Sequence, residues 1–457
     1  MPYSHILAQL NQLLGDKGCK HDKPTCTEHS KDESWHAPQL PLAVCYPQSA
    51  EDVSQIVRIC NDANIAMTAF GAGTSVEGQS IPSANSIVID LSRMNKLLNL
   101  WPEDLNCRVE AGMTRLTLNH LLKPHGLFFP IDPGADATLG GMCATRASGT
   151  NAVRYGTMKQ NVLGLTVVTA QGEIIHTGTR AKKSSAGYDL TSLFIGSEGT
   201  LGIITDVTLS LQGIPETHAA ATLNFSQLRH CVQLVIQILQ YGIPIARIEL
   251  LDEAGITAVN RYKQLELPVK PTLFLEFAGT KLQIEEQIRT VESIADGIEP
   301  CNMQWAENEE DINRLWQARH HALYAAKAML PNCDVWTTDV CVPVSQLESC
   351  ILDTQTYIHS SGLLAPIVGH VGDGNFHVLI LIPQNDSSAR GCARELNDRI
   401  IERALQSGGT CTGEHGIGLG KKRWLMEEAG ASLNLMKALK NTMDPKHLLN
   451  PGKLFDL

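Results

Sequence analysis

The chain is 457 residues long and carries 48 acidic against 37 basic side chains, a formal net charge of -11. Such a length holds two or three domains, each able to bury its own core. The acidic balance argues against a nucleic-acid binder, because no cationic excess exists to neutralise phosphates.

Thirteen cysteines are scattered without a Cys-x-x-Cys pair, which reads as thiols in a reducing compartment rather than a disulfide framework. The start Met1-Pro2-Tyr3-Ser4-His5 has no basic n-region and no continuous apolar h-region, and nowhere do eighteen apolar residues run together. A cytoplasmic location is therefore expected, with a peripheral position on the inner face of the membrane as its variant.

Residues 1–36 form an N-terminal segment in which Ile6, Leu7, Leu10, Leu13 and Leu14 recur at helical spacing. Packing on the body of the protein is their expected use, and a peripheral membrane contact is the alternative. From 37 to 216 helix and strand signals alternate. Ser49-Ala50-Glu51-Asp52 predicts a helix start, followed by Val53, Ile56, Val57 and Cys60 on one face. Strands are predicted at 65–70, 86–91 and 107–110, then a helix after Thr114, a hairpin of 162–170 and 173–177, and a strand within 201–211. The block 217–412 repeats the theme at 220–225, 232–239, 245–250, 272–277 and 282–294, which suits an antiparallel sheet covered on one face. Residues 413–457 form a C-terminal segment with helical patterns and turn signals at Asp444-Pro445 and Asn450-Pro451-Gly452-Lys453. No internal sequence repeat is visible.

Two histidines flank a tight turn in His370-Val371-Gly372-Asp373-Gly374-Asn375-Phe376-His377. The apolar run 378–382 reads as a buried strand with His377 at its mouth. Downstream, Gly413-Glu414-His415-Gly416-Ile417-Gly418 sets an acid and a base among glycines where packing requires neither. Two His and one Glu match the open ligand set of a catalytic zinc or a related divalent ion, so His370, His377 and Glu414 are the predicted ligands, with zinc, manganese and iron left open.

Gly71-Ala72-Gly73-Thr74-Ser75 follows a predicted strand, but it lacks a third glycine and leads into another strand rather than a helix. That excludes a nicotinamide dinucleotide fingerprint. Its backbone N–H groups can still hold a diphosphate. Three more glycine patches occur nearby: Asp132-Pro133-Gly134, Gly140-Gly141 with Ala147-Ser148-Gly149-Thr150, and Gly196-Ser197-Glu198-Gly199-Thr200-Leu201-Gly202. Four such loops at strand ends imply a long phosphate-containing ligand.

Together with Ala152-Val153-Arg154-Tyr155-Gly156-Thr157 and the Asn450 to Lys453 turn, these motifs resemble the FAD-linked oxidases of the vanillyl alcohol oxidase and p-cresol methylhydroxylase (PCMH) type. Within that family they are most similar to the cytochrome-linked D-lactate dehydrogenases, which sit beside D-2-hydroxyglutarate dehydrogenases and the glycolate oxidase flavoprotein subunit. The resemblance runs from about residue 35 to the C-terminus. It implies an α+β fold: a bilobed PCMH-type FAD-binding domain, a ferredoxin-like antiparallel-sheet cap carrying the metal histidines, and a C-terminal helical segment returning to the flavin. It also implies FAD, with Gly71, Ala72, Gly73, Thr74 and Ser75 at the pyrophosphate; because that loop offers no His or Cys to tether a flavin methyl group, the FAD is expected to be non-covalent. Pro133, Gly134, Thr138, Gly141, Ser148, Gly149, Tyr155, Gly156, Glu198, Gly202, Ile203 and Asn450 would line the rest of the cofactor.

The implied reaction is oxidation of D-lactate, or another small D-2-hydroxy acid, to the 2-oxo acid by hydride transfer to flavin N5, with the metal lowering the hydroxyl pKa. His415 is the candidate general base. Arg319 resembles the family's carboxylate clamp, and Asn375 is a second substrate contact. With no nicotinamide site and no Cys-x-x-Cys-His haem motif, the chain implies an external acceptor, a quinone or a cytochrome; its oligomeric state stays open between monomer and homodimer. Hydroxyglutarate-specific relatives carry a polar residue four places after the arginine and an Asn two places after the second metal histidine. Here these are Leu323 and Leu379, which favours a small monocarboxylate. A D-2-hydroxyglutarate dehydrogenase or glycolate oxidase subunit is the alternative.

Overall fold

The computed structural model describes residues 3–301, 303–306 and 308–457. Met1 and Pro2, read above as the start of the N-terminal segment, lie outside the described residues. The chain divides into two compact units, one of residues 1–148, 155–214 and 414–457, the other of residues 149–154 and 215–413.

Among the described residues the first unit holds two larger sheets and a two-stranded pair, Leu127–Phe128 with Gln212–Gly213. One has the strand order Cys19–Lys20, Ala43–Cys45, Ile87–Asp90, Met67–Phe70, its last three strands parallel. The other is an antiparallel sheet of five strands in the order Leu97–Trp101, Asn106–Glu110, Ile203–Ser210, Val162–Val168, Ile174–Gly178. Helix Ala50–Asp62 starts where the sequence predicts: the Ser49 hydroxyl accepts from the Asp52 N–H, and Val53, Ile56, Val57 and Cys60 are buried on one side. Helix Ser4–Leu14 directs Ile6, Leu7, Leu10, Leu13 and Leu14 to the same core, so that apolar face is used in packing. The end of the chain closes the unit. Leu449 forms a parallel bridge with Met67, whose N–H donates to the Leu448 carbonyl and whose carbonyl accepts from Asn450, each at 2.7 Å.

The second unit is built on one antiparallel sheet, ordered Met303–Ala306, Thr217–Asn224, Thr272–Gly279, Arg247–Leu251, Ile367–Gly369, Asn375–Pro383, Cys333–Thr337. The first four strands, with helices Leu228–Gln240 and Lys281–Ile298 between them, follow a ferredoxin-like βαββαβ order. The pattern recurs in the second half: Cys333–Thr337, helix Leu347–Ser361, Ile367–Gly369, Asn375–Pro383 and helix Ser387–Gln406, ending in a bridge between Thr410 and Cys341. The halves join through their second strands, Leu250 opposite Gly369 and Leu251 opposite Val368.

One detail differs from expectation. The sheet is covered on both faces, because strands such as Asn375–Pro383 are apolar on both sides of the pleat and need two layers. Phe274, Leu251, Val368, Leu379 and Leu381 meet a second set of helices, Glu253–Lys263, Glu309–His320 and Ala322–Met329.

Candidate functional site

Along strand Asn375–Pro383, Leu381 and Leu379 point into that second layer, and the next residue on the same face is His377. His377 lies opposite Val368, and one short turn joins the two strands. Gly374 makes that turn possible. Its φ of 77° is left-handed, and a Cβ there would lie 2.0 Å from the Val342 carbonyl oxygen. The turn brings the His370 and His377 rings to 5.4 Å, nearly perpendicular at 84°.

Each ring is fixed through Nδ1. That of His370 sits 2.7 Å from a Glu249 oxygen and that of His377 2.9 Å from the Thr338 carbonyl. A carboxylate and a carbonyl can only accept, so Nδ1 carries the hydrogen in both and Nε2 is the nitrogen that could hold a metal.

Glu249 was not foreseen. It is fully buried on strand Arg247–Leu251, with one oxygen at His370 and the other 2.8 Å from Arg319 Nε and 2.7 Å from Nη2. Burial alone would raise its pKa, but the charges of His370 and Arg319 outweigh that and hold it below the ordinary carboxylate value. One anion thus fixes both a predicted metal ligand and the predicted clamp arginine. The neighbouring His320 is held down to about 4 by burial and by the charges of Arg247 and Arg319.

Asp339, also fully buried and also unforeseen, accepts from the Asn375 amide at 2.8 Å, the Thr412 hydroxyl at 2.7 Å and the Gly413 N–H at 2.9 Å. A Cβ at Gly413 would sit 2.2 Å from Asn375 Nδ2. Asp339 therefore fixes the residue to which Glu414 is peptide-bonded. His370 and His377 are thus two neighbouring imidazoles of the second unit, and Glu414 follows the fixed Gly413 directly in sequence. A divalent ion with bonds near 2.0–2.2 Å fits such a donor set. Asn375 directs its amide N–H groups to Asp339 and to the Val340 carbonyl, leaving its Oδ1 as the group it could offer a substrate.

In the first unit the glycine loops are arranged around backbone. Gly71 lies so close to Thr138 that a Cβ would come within 2.2 Å of its hydroxyl, and Gly73 has a left-handed φ of 68°. Thr138 immediately precedes helix Leu139–Thr145, so residues 71–75 and 138–141 adjoin one another. Gly134 is open, with nothing within 4 Å of its Cβ position. Ala72, Thr74 and Ser75 complete the first loop, and the Ser75 carbonyl accepts from Glu33. With the Gly71 backbone against the Thr138 side chain, the N–H groups of these two adjoining loops could hold a diphosphate.

The other cofactor candidates have different surroundings. Gly202 packs on Val167 and Phe194 beside buried Ile203, and Tyr155 stands edge-on to Phe128. Pro133 precedes the open Gly134 and Gly156 turns the chain at φ 75°. Gly141 lies near the Thr138 hydroxyl, while Ser148 ends the first unit's opening segment and Gly149 begins the stretch that belongs to the second. Glu198 and Asn450 hold protein chain. The Asn450 amide donates to the carbonyls of Gln79 and Glu198, and the Glu198 carboxylate accepts from Ile417 and Gly418.

Fold and site together define a flavoprotein oxidoreductase of two parts. Residues 41–178 match the FAD binding domain family, and residues 214–454 match the family of FAD linked oxidases, C-terminal domain. The chain belongs to the FAD-linked oxidases. It is 46% identical to a zebrafish (Danio rerio) protein named probable D-lactate dehydrogenase, mitochondrial, over 99% of this chain and 92% of the relative. It is 42% identical to D-lactate dehydrogenase [cytochrome], mitochondrial, of Arabidopsis thaliana, over 98% and 80%. It is 31% identical to glycolate oxidase subunit GlcD of Bacillus subtilis, over 98% and 96%. Among solved structures, p-cresol methylhydroxylase superposes with a TM-score of 0.81 at 16% identity, covering 100% of this chain and 97% of that one, which shows the fold.

These relatives correct one expectation. Those from zebrafish, Arabidopsis and Saccharomyces cerevisiae are named mitochondrial, against the cytoplasmic location inferred from free thiols. Reduced cysteines report a redox environment, which more than one compartment can supply.

Proposed function

We propose that the chain oxidises D-lactate to pyruvate with bound FAD and a divalent ion, and passes the electrons to an external quinone or cytochrome. The observation that carries the reading is Glu249, whose two oxygens hold His370 on one side and Arg319 on the other. A site for a 2-hydroxy acid needs a cation for the carboxylate at a fixed distance from a Lewis acid for the hydroxyl, and a shared buried anion sets that distance.

The loops at Gly71 and Thr138 would hold FAD, which would supply the hydride acceptor for the hydrogen on Cα. His370, His377 and Glu414 would hold a divalent ion, which would supply Lewis acidity at the hydroxyl. Arg319 binds and orients the carboxylate, keeping Cα in one pose. His415, next to a ligand, takes the hydroxyl proton on its imidazole. Buried Leu379 and half-exposed Leu323 offer no donor to a second carboxylate. In the same reading residues 37–216 form the FAD-binding domain, 217–412 the cap, and 413–457 the segment returning to the flavin.

Anaerobic flavin reduction against D-lactate, D-2-hydroxybutyrate, glycolate and D-2-hydroxyglutarate, under one acceptor, tests the assignment. D-Lactate is expected to exceed the dicarboxylate in kcat/KM by about a hundredfold, the effect of an unpaired buried charge. The GlcD relative supports glycolate as the second reading. A preference for the dicarboxylate would mean that a further cation, with Lys327 the first to test, reaches the substrate.

A further inference from the structure

Between helix Ser387–Gln406 and helix Lys422–Ala429 the chain forms no helix or named strand, yet this stretch carries Glu414 and His415. A loop without a ladder of its own must be held by side chains.

Glu198 does much of that holding. It is buried, at 4% exposure, in a tight turn where its backbone adopts a left-handed φ of 52°. Its two carboxylate oxygens accept separately, one from the Ile417 N–H at 2.6 Å and the other from the Gly418 N–H at 2.8 Å. Gln79 adds a third tie, its amide donating to the His415 carbonyl at 2.7 Å. The loop sequence is suited to this approach. Gly416 has φ 80°, and a Cβ there would lie 2.6 Å from Glu198 Oε1 and 2.7 Å from Gln79 Nε2; a Cβ at Gly418 would meet the Glu77 carbonyl at 2.1 Å. Glu198 is itself held, since its carbonyl accepts from Asn450 at 2.7 Å.

We propose that Glu198 is a positioning residue for Glu414 and His415, fixing the loop behind the proposed metal ligand and base, rather than a group that contacts the flavin. A carboxylate is suited to the role because it accepts from two adjacent N–H groups at once, whereas an amide must turn a donor toward one of them. The proposal rests on the metal and base assignments above, and its readouts separate the two.

The test uses full-length, FAD-loaded, metal-stripped protein and Zn²⁺ as the probe. Glu198→Gln is expected to weaken Zn²⁺ binding by about 10- to 100-fold, the range for a lost supporting group around a metal. Its kcat, restored with saturating Zn²⁺, should fall by about tenfold or more while KM changes little. FAD stoichiometry and melting temperature should match wild type. Loss of FAD with unchanged Zn²⁺ affinity would make Glu198 a flavin contact and overturn the proposal, as would unchanged affinity and turnover.

If Glu198→Gln does not fold, Gln79→Met, which removes the tie to the His415 carbonyl together with the bonds to Glu198 and from the Glu77 N–H, is expected to lower kcat by about threefold or more with FAD retained; an unchanged kcat overturns the idea. A wild type that binds Zn²⁺ but is reduced by no 2-hydroxy acid sinks the substrate reading and leaves the Zn²⁺ comparison decisive. A wild type that binds no Zn²⁺ overturns both.

Discussion

In the unit built on residues 149–154 and 215–413, the candidate chemistry rests on His370 and His377 at strand ends and on Arg319 near the end of a helix, with buried Glu249 holding His370 and Arg319 and buried Asp339 holding Asn375 and the Gly413 N–H. In the other unit the candidate cofactor loops are backbone, kept thin by glycines at 71, 73 and 134. The difference follows from the ligands. A divalent ion and a small acid need a few charged atoms at set distances, which rigid strands supply. A long dinucleotide needs many weak donors over an extended path, which loops supply and which tolerate exchange of most side chains.

The largest test of that contrast is His377→Ala. Removing a ligand should lower turnover by about 10³-fold or more, since the Lewis acid is worth several kcal/mol, while flavin absorbance of the purified protein stays. Loss of flavin along with activity would break the separation of the two sites. His415→Ala follows, with an expected fall in kcat of about 10²- to 10⁴-fold; a change under about threefold would remove it as the base. Glu249→Gln keeps the shape but halves the acceptor capacity and removes the charge. It should weaken metal affinity or turnover by about 10- to 100-fold, measured by Zn²⁺ titration and by initial rates.

The smallest effect belongs to the first unit alone. Buried His29 lies 2.8 Å from Asp90; burial opposes its charge, but the bonds to Asp90 and to the Thr25 carbonyl leave its pKa raised above 6.5. A raised folded value means that the stabilisation is fully present below the unfolded value and lost as pH rises through the folded one. Proteolysis within residues 19–30 should therefore speed up modestly as pH rises from 6 toward 8.5, and Asp90→Asn should remove that dependence.

What could be read from sequence divides along the same line. His370 and His377 were visible because the turn that joins them is local and its Asp373-Gly374 signal is strong. Glu249 lies 121 residues from His370 and 70 from Arg319, and a lone acid in an alternating strand carries no mark of its partners. Asp339 is hidden in the same way. The doubled ferredoxin-like half is a repeat of topology without a repeat of residues. The second layer over the sheet could have been foreseen from the unbroken run 378–382, since a strand apolar on both sides asks for two coverings. The assignment of 149–154 to the second unit depends on Arg154, which donates to the carbonyls of Pro244 at 3.2 Å and Ala278 at 2.9 Å. Nothing near it in sequence signals those acceptors.

The parallel bridge between Met67 and Leu449 bears on how the molecule is made. Strand Met67–Phe70 is synthesised early, but its outer neighbour comes within the last ten residues, together with Asn450, which ties the carbonyls of Gln79 and Glu198. Domains emerging from a ribosome tend to fold as they appear. Here the unit that holds strand Met67–Phe70 cannot close until residues 448–450 have been made, which is after Gly413, the last residue of the second unit. The sheet of the second unit is complete by Pro383, so the two units close in the reverse of the order in which they begin.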